Sequence, residues 1–461
     1  MQIKINSRLM LIPPLRSDVE AEVVELMSYK YRKYIRGKEA WTKFGKAAGN
    51  EITLRTFLLK DLATNWMSCP AGFIDAVSEI LYKHGLEHSF YFDGFTECVP
   101  DWDYIKSKVQ FRPTQEDNLR KLLQFPFGGI EASPGYGKSF LIYVMCELFH
   151  KYKVDITTDS VQVCRTLEEY LSPFIPDLGF VGDGDNKVGR VTIYTTDSLH
   201  KADGSADVLI GDEVHAIVSE KACPKFGIYK KARRYWFSAT PDDRADNSGI
   251  RVEALFGKTR ALITYQDCVR LGLIANLEVN WLPFFMDFDP TDGFDDPTKE
   301  ARFGIWRNRK RNLFIAEQCQ TKVPQDEQLL ILVNTVEHLA HLSHCLPDYE
   351  VAFGAGKKTL EEAKSWVSAG LLPSRVLDRR KDQNANLRKA FTAGDLRKII
   401  VTSIWDTGVN FPNLTNIFRT DPFDAGAIKD VQAPGRASRI VMSDGSIKEL
   451  GRLYNVVDMF S

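Results

Sequence analysis

Residues 132–139 read Ala132-Ser-Pro-Gly-Tyr-Gly-Lys-Ser139, and this stretch decides the fold. The spacing is that of a phosphate-binding loop, with alanine in place of the usual first glycine. Gly135 and Gly137 let the backbone fold tightly enough to aim several N–H groups at anionic oxygens, with Pro134 and Tyr136 as the intervening loop members. Lys138 has the reach to meet the β- and γ-phosphates of a nucleotide, and the Ser139 hydroxyl is placed to ligate magnesium. An apolar run, GGIEA, precedes the loop, and an apolar stretch read as an amphipathic helix over 140–149 follows it. Strand, loop and helix in that order put a helix dipole behind the loop, so ATP and Mg2+ are the expected ligands.

Working outward, the apolar strand Val208-Leu209-Ile210 ends in Gly211-Asp212-Glu213-Val214-His215, about 75 residues after the loop. An acidic pair at the end of a buried strand is common by itself. Downstream of a phosphate loop it has a definite chemistry: Asp212 holds magnesium and Glu213 polarises the attacking water as general base. Ser238-Ala239-Thr240 closes a further apolar strand. Short apolar runs ending in small polar residues alternate with helical stretches throughout, as in KVDITTD, RVTIYTTD, LLILVNT and KIIVTS. That alternation predicts parallel sheets with helices on both faces, and ligands at the carboxyl ends of the strands.

The chain has 461 residues, 44% apolar and 26% charged, enough for two to four domains. No apolar run is long enough to span a bilayer and the N-terminus lacks a signal-peptide pattern, so a cytoplasmic protein with no membrane partner is expected, in the host cytoplasm if viral. The eight cysteines form no CxxC pair and read as buried apolar residues. A net charge of −1 excludes little, because a basic stripe can hide in a neutral total. His338, His341 and His344 recur every three residues with Cys345 beside them, but they follow a strand and no carboxylate completes the pattern nearby, which argues against a metal site.

In order, Arg112-Pro-Thr-Gln115, the phosphate loop, DEVH, SAT, TSIWDTGVN over 402–410 and QAPGRASR over 432–439 resemble the motif series of superfamily-2 helicases of the DExH type. The last match is the most specific and arrives about 220 residues after the acidic box. The resemblance covers roughly Phe111 to the C-terminus. It implies an α/β fold of two tandem RecA-like parallel-sheet lobes with a small α+β N-terminal domain. The expected boundaries are 1–105 for an accessory nucleic-acid-binding domain, 106–283 for lobe 1, 284–300 for an acidic interlobe linker and 301–461 for lobe 2. By position, Gln115 would read adenine with support from Arg112. Arg436 and Arg439 would act as arginine fingers, with Gln432, Asp406 and Gly408 facing the nucleotide. Ser238, Ala239, Thr240 and His215 would relay the ATP state to the track. Thr195, Thr196, Asn334, Thr335 and Thr402 would meet the phosphate backbone. The segment after SAT is similar to that of branch-migrating DNA helicases, and the N-terminal stretch to UvsW-like phage helicases, which points to a recombination or repair helicase of a T5-like phage.

Between Tyr29 and Lys46 the basic residues Lys30, Arg32, Lys33, Arg36 and Lys43 interleave with aromatics including Trp41, a composition suited to phosphate neutralisation and base stacking. A solvated basic face is the competing reading. The expected substrate is branched, forked or duplex DNA rather than RNA, handled by a monomer with recombination or replication proteins as candidate partners. Two alternatives stay open: a duplex translocase without strand separation, and a nucleotide-switched binding module with little turnover.

Overall fold

The computed structural model describes residues 1–34, 50–239, 248–354, 356–377, 381–402, 405, 411–421, 437–438, 440–442 and 445–460. The chain divides into two compact units, Met1–Ser133 with Gly137–Thr264, and Pro134–Tyr136 with Tyr265–Ser461.

The first unit opens with a five-stranded sheet in the order Leu59–Lys60, Met67–Pro70, Leu9–Ile12, Gln2–Ile5, Ser89–Phe92. Residues Gln2–Ile5 and Leu9–Ile12 alternate exposed and buried, so Ile3, Ile5, Met10 and Ile12 point to one side. Helices Ser17–Leu26 and Ile74–Lys83 cover that side with Val19, Val23, Val77 and Leu81. The first of these begins at Ser17 behind Arg16, which makes no side-chain cap. The basic run enters an antiparallel pair, Ser28–Tyr34 against Asn50–Thr56, in which Lys30 lies opposite Leu54 and Arg32 opposite Ile52.

This module is welded to the lobe that follows. Its core includes Phe127 and Ala254, which belong to the lobe. Ser7 Oγ donates to the Ala232 carbonyl at 2.7 Å. Arg260, nearly buried, holds Asp75 through two parallel bonds of 2.9 and 2.6 Å. Gly72 is pressed against backbone: a Cβ there would overlap the Glu253 carbonyl oxygen and sit 2.8 Å from that of Ala254. Backbone cannot yield as a flexible side chain does. Gly72→Ala is therefore expected to lower unfolding stability by about 1–3 kcal/mol, and a denaturant melt of the full chain checks this.

The lobe itself is an eight-stranded sheet. Its functional strands are β1 (Phe127–Ala132), β2 (Val154–Thr158), β3 (Val191–Thr195), β4 (Val208–Asp212) and β5 (Arg233–Ser238), which run parallel in the spatial order β3-β2-β4-β5-β1. Thr259–Ile263 flanks β1 in parallel, and the Leu178–Gly182/Asp185–Lys187 hairpin closes the other edge. The central strands are buried along their whole length, which is why they read as continuous apolar runs. Helix α1 (Gln115–Leu123) precedes β1, and α2 (Lys138–Leu148) follows the phosphate loop. The expected amphipathic helix is instead buried from Leu141 through Leu148, because neighbouring helices pack on it as well as the sheet.

The second unit holds a six-stranded, all-parallel sheet. Its strands β6 (Asn276–Met286), β7 (Gln328–Leu332), β8 (Leu414–Arg419) and β9 (Leu450–Phe460) stand in the order β6-β9-β8-β7, continued by Lys398–Val401 and Glu350–Ala352. Leu329 and Ile331 pack with Val336, Leu339 and Leu342 on one face, and Leu330 packs with Phe391, Trp405 and Phe411 on the other. Both chain segments are thus α/β with parallel-sheet lobes.

Here one expected boundary is corrected. The sequence predicts a lobe 1 that runs to residue 283 and a linker over 284–300. Strand β6 instead pairs with β9 from Asn276 to Met286, so lobe 2 has begun by then. The acidic stretch is turn structure within lobe 2: Asp289 Oδ1 accepts from Thr291 N at 2.8 Å, and Asp296 caps the short helix Pro297–Ala301. Aspartate, proline and glycine mark turns inside a domain as readily as linkers between domains.

Candidate nucleotide site

The sheet order puts β5 between β1 and β4, so the carboxyl ends carrying the phosphate loop, SAT and DEVH lie side by side. Gly135 and Gly137 adopt φ of +93° and +103°, a backbone open to glycine and strained for other residues. At Gly137 a Cβ would stand 2.9 Å from the amide nitrogen of Gln115. Gln115 is fully buried, and its Oε1 accepts the Arg112 N–H at 2.9 Å. The Arg112–Gln115 segment is thereby folded onto the loop it precedes in sequence. Thr114 within it takes a left-handed φ of +69°. Arg112 itself is exposed.

Lys138 Nζ donates to the Ala132 carbonyl at 3.3 Å and stands 3.8 Å from Glu213 Oε1. Asp212 is buried, and its Oδ1 accepts the Glu213 N–H at 3.1 Å. Burial first, and then the neighbouring Glu213 carboxylate, push the Asp212 carboxyl well above the usual range, while Lys138 pulls it back. Glu213 takes a left-handed φ of +47°. A glutamate there is strained and persists because its surroundings fix it. Those surroundings include SAT: Ser238 Oγ donates to Glu213 Oε2 at 3.4 Å and lies 2.9 Å from His215 Nδ1. Lys138, Glu213, Ser238 and His215 thus form one continuous chain of polar contacts. Ala239 follows Ser238, almost buried.

Some expected residues lie elsewhere. Thr195 and Thr196 were expected to face a nucleic-acid backbone. Both are buried: Thr195 Oγ1 caps the following turn by accepting from Ser198 N at 3.2 Å, and Thr196 Oγ1 donates to the Thr158 carbonyl at 3.0 Å. Their hydroxyls stabilise the strand end rather than point out of it. Thr402 is likewise nearly buried. Ser139 is exposed in the first turn of α2. Lys30, Arg32 and Lys33 sit on the strand Ser28–Tyr34. Arg36, Trp41, Lys43, Thr240, Asp406, Gly408, Gln432, Arg436 and Arg439 lie outside the described residues. The histidine row is explained by packing. His338 is fully buried, with Nδ1 3.0 Å from Asp421 Oδ1 and Nε2 3.2 Å from Asn312 Oδ1. The carboxylate that partners His338 comes from 83 residues away. Ser133 carried no signal of its own, yet its Oγ is buried beside the loop with no hydrogen-bond partner among the described residues.

Residues 108–243 match the family described as type III restriction enzyme, res subunit. The chain is 22% identical over 336 residues to the DNA 3'-5' translocase XPB2 of Sulfurisphaera tokodaii, covering 68% of this chain and 74% of the relative. It is also similar to the crystal structure of T4 UvsW, at a TM-score of 0.45 and 14% identity over 99% of this chain and 90% of the other. The Hef helicase domain of Pyrococcus furiosus gives 0.46 and 11% over 78% and 97%. The motif order, the three converging strand ends and both sequence matches agree: the chain is an enzyme similar to the res subunit of type III restriction enzymes and to a DNA translocase.

Proposed function

We propose that the chain is a DNA-dependent ATPase that unwinds or branch-migrates forked and junction DNA, of the UvsW-like kind. The observation that carries the ATPase is the facing of Lys138 and Glu213 across 3.8 Å, with Ser238 bonded to the same glutamate. A lysine and a carboxylate so placed leave room for a γ-phosphate and its attacking water between them once nucleotide separates the pair. The N–H groups of the glycine-bent loop bind the phosphates, and Gln115 orients the adenine. Glu213 takes the proton of the water.

The residues fit magnesium. Asp212 is a buried carboxylate whose charge is costly until a cation compensates it, and the partnerless Ser133 hydroxyl marks a polar corner beside the loop. Ser139 and Asp212 would hold the ion, which neutralises phosphate charge when bound. Arg436 and Arg439 are assigned as arginine fingers from lobe 2, with Gln432, Asp406 and Gly408 beside them. Hydrolysis then needs both lobes, which ties turnover to movement along DNA. His215, Ser238, Ala239 and Thr240 serve as the coupling relay, and the basic run between Lys30 and Lys43 serves as an accessory DNA contact.

Duplex translocation without strand separation is the second reading, and the match to a DNA translocase favours it. One assay separates the readings. ATP hydrolysis is measured with single-stranded, duplex, forked and four-way DNA and with matched RNA. Stimulation is expected to be several-fold greater with forked and four-way DNA than with linear duplex. Equal stimulation by plain duplex favours the translocase, and stimulation by RNA alone refutes the DNA reading.

A further inference from the structure

At the carboxyl end of β7, two residues expected to meet the phosphate backbone have bonding groups already in use. The Asn334 N–H donates to Asp421 Oδ2 at 2.6 Å, and Thr335 Oγ1 accepts the His338 N–H at 3.1 Å. Further donors at this corner belong to other residues. Helix α3 (Arg309–Lys322) is preceded by a π-helical turn, Arg302–Trp306, and helix α4 (Val336–Cys345) carries Glu337 in its first turn. Glu337 is buried, and two arginines reach it: Arg302 Nε at 3.1 Å and Arg307 Nε at 2.5 Å.

The π-turn makes this meeting possible. Five residues apart on an α-helix means about 140° apart around its axis. A π-turn closes an i-to-i+5 bond, here from Arg307 N–H to the Arg302 carbonyl at 2.8 Å, and so brings the two positions to one side. Each guanidinium spends its Nε on the carboxylate. The η nitrogens of both make no hydrogen bond among the described residues, the Arg307 guanidinium lies 5.6 Å from the centre of the Trp366 ring, and the side chains stay 37% and 39% exposed. Two cations on one anion leave a net positive charge. Phe303, in the same turn, is 43% exposed, and Arg309 and Lys310 follow, both exposed.

We propose that Arg302 and Arg307 form a phosphodiester-binding pair on lobe 2, held by Glu337 with their forks turned outward to grip the backbone of the nucleic-acid track. This rests on the nucleic-acid reading above. Pre-fixing through Nε removes much of the rotamer entropy that arginine loses on binding, and the free edge of each fork still matches two phosphate oxygens. The pair sits at the carboxyl end of a parallel strand, where such sheets present ligands.

The test is titration of the full-length chain with labelled oligothymidylate across a salt series, for Arg302→Gln, Arg307→Gln and both together. Each single variant is expected to bind about three- to tenfold more weakly, with the log–log salt slope shallower by about 0.7 per arginine. ATP affinity and DNA-free hydrolysis stay at wild-type levels. Glu337→Gln keeps both cations but loosens them; it weakens binding less, with the slope unchanged. If the double variant does not fold, the single variants decide. Wild-type affinity and slope in folded single variants, with only a lowered melting temperature, would show the pair to be a brace for the π-turn and overturn the proposal alone. A wild-type chain that binds no oligonucleotide overturns the functional reading and the pair's role together.

Discussion

Replacing Lys138 with alanine is expected to abolish ATP hydrolysis and every DNA-remodelling activity that depends on it. Lys138 is the cation at the head of α2, within 3.8 Å of the Glu213 carboxylate. In hydrolysis it would hold the γ-phosphate and offset charge that builds on it. Losing one such preorganised group costs on the order of 10²–10³ in rate, and the lost phosphate contact weakens ATP binding as well. Stability should change little, since among the described residues its amine makes a single hydrogen bond, to the Ala132 carbonyl at 3.3 Å. Steady-state phosphate release with saturating DNA is the measurement. DNA-stimulated hydrolysis retained in a folded Lys138→Ala variant would overturn the phosphate-loop assignment.

Arg436→Ala is expected to separate binding from turnover. In the proposed mechanism this residue acts only when lobe 2 presents it to the γ-phosphate, so nucleotide binding should persist. Hydrolysis should fall by roughly 10³-fold or more, the scale on which arginine fingers act. Equilibrium binding of a non-hydrolysable ATP analogue beside kcat makes the distinction. An unchanged kcat removes Arg436 from the mechanism and leaves Arg439 to be tested in its place.

What was legible in the sequence, and what was not, divides along physical lines. The phosphate loop, DEVH and SAT could be read because their chemistry demands particular side chains at short spacings after buried strands. The lobe fold could be read because parallel strands buried on both faces leave apolar runs. The lobe boundary could not, because the turn residues at Asp289 and Asp296 resemble a linker until β6 is seen paired with β9. The fates of Thr195 and Thr196 were hidden for a related reason: a threonine at a strand end either points outward or caps its own turn, and only the coordinates distinguish these. The Arg302–Glu337–Arg307 cluster was invisible because a five-residue spacing matches no helical face until a π-turn is known. The left-handed backbone at Thr114 and Glu213 likewise left no compositional trace, since neither residue type announces it.

The seam at Gly72, Ser7 and Arg260 bears on how the chain can be dissected. Cutting the chain near residue 105 to obtain a minimal engine would strip the cover from Phe127, at the base of the strand that leads into the phosphate loop, and leave Arg260 without its aspartate. An inert truncate would then report a damaged active-site strand rather than a missing DNA contact. The accessory module has to be interrogated by surface substitutions that leave the seam intact.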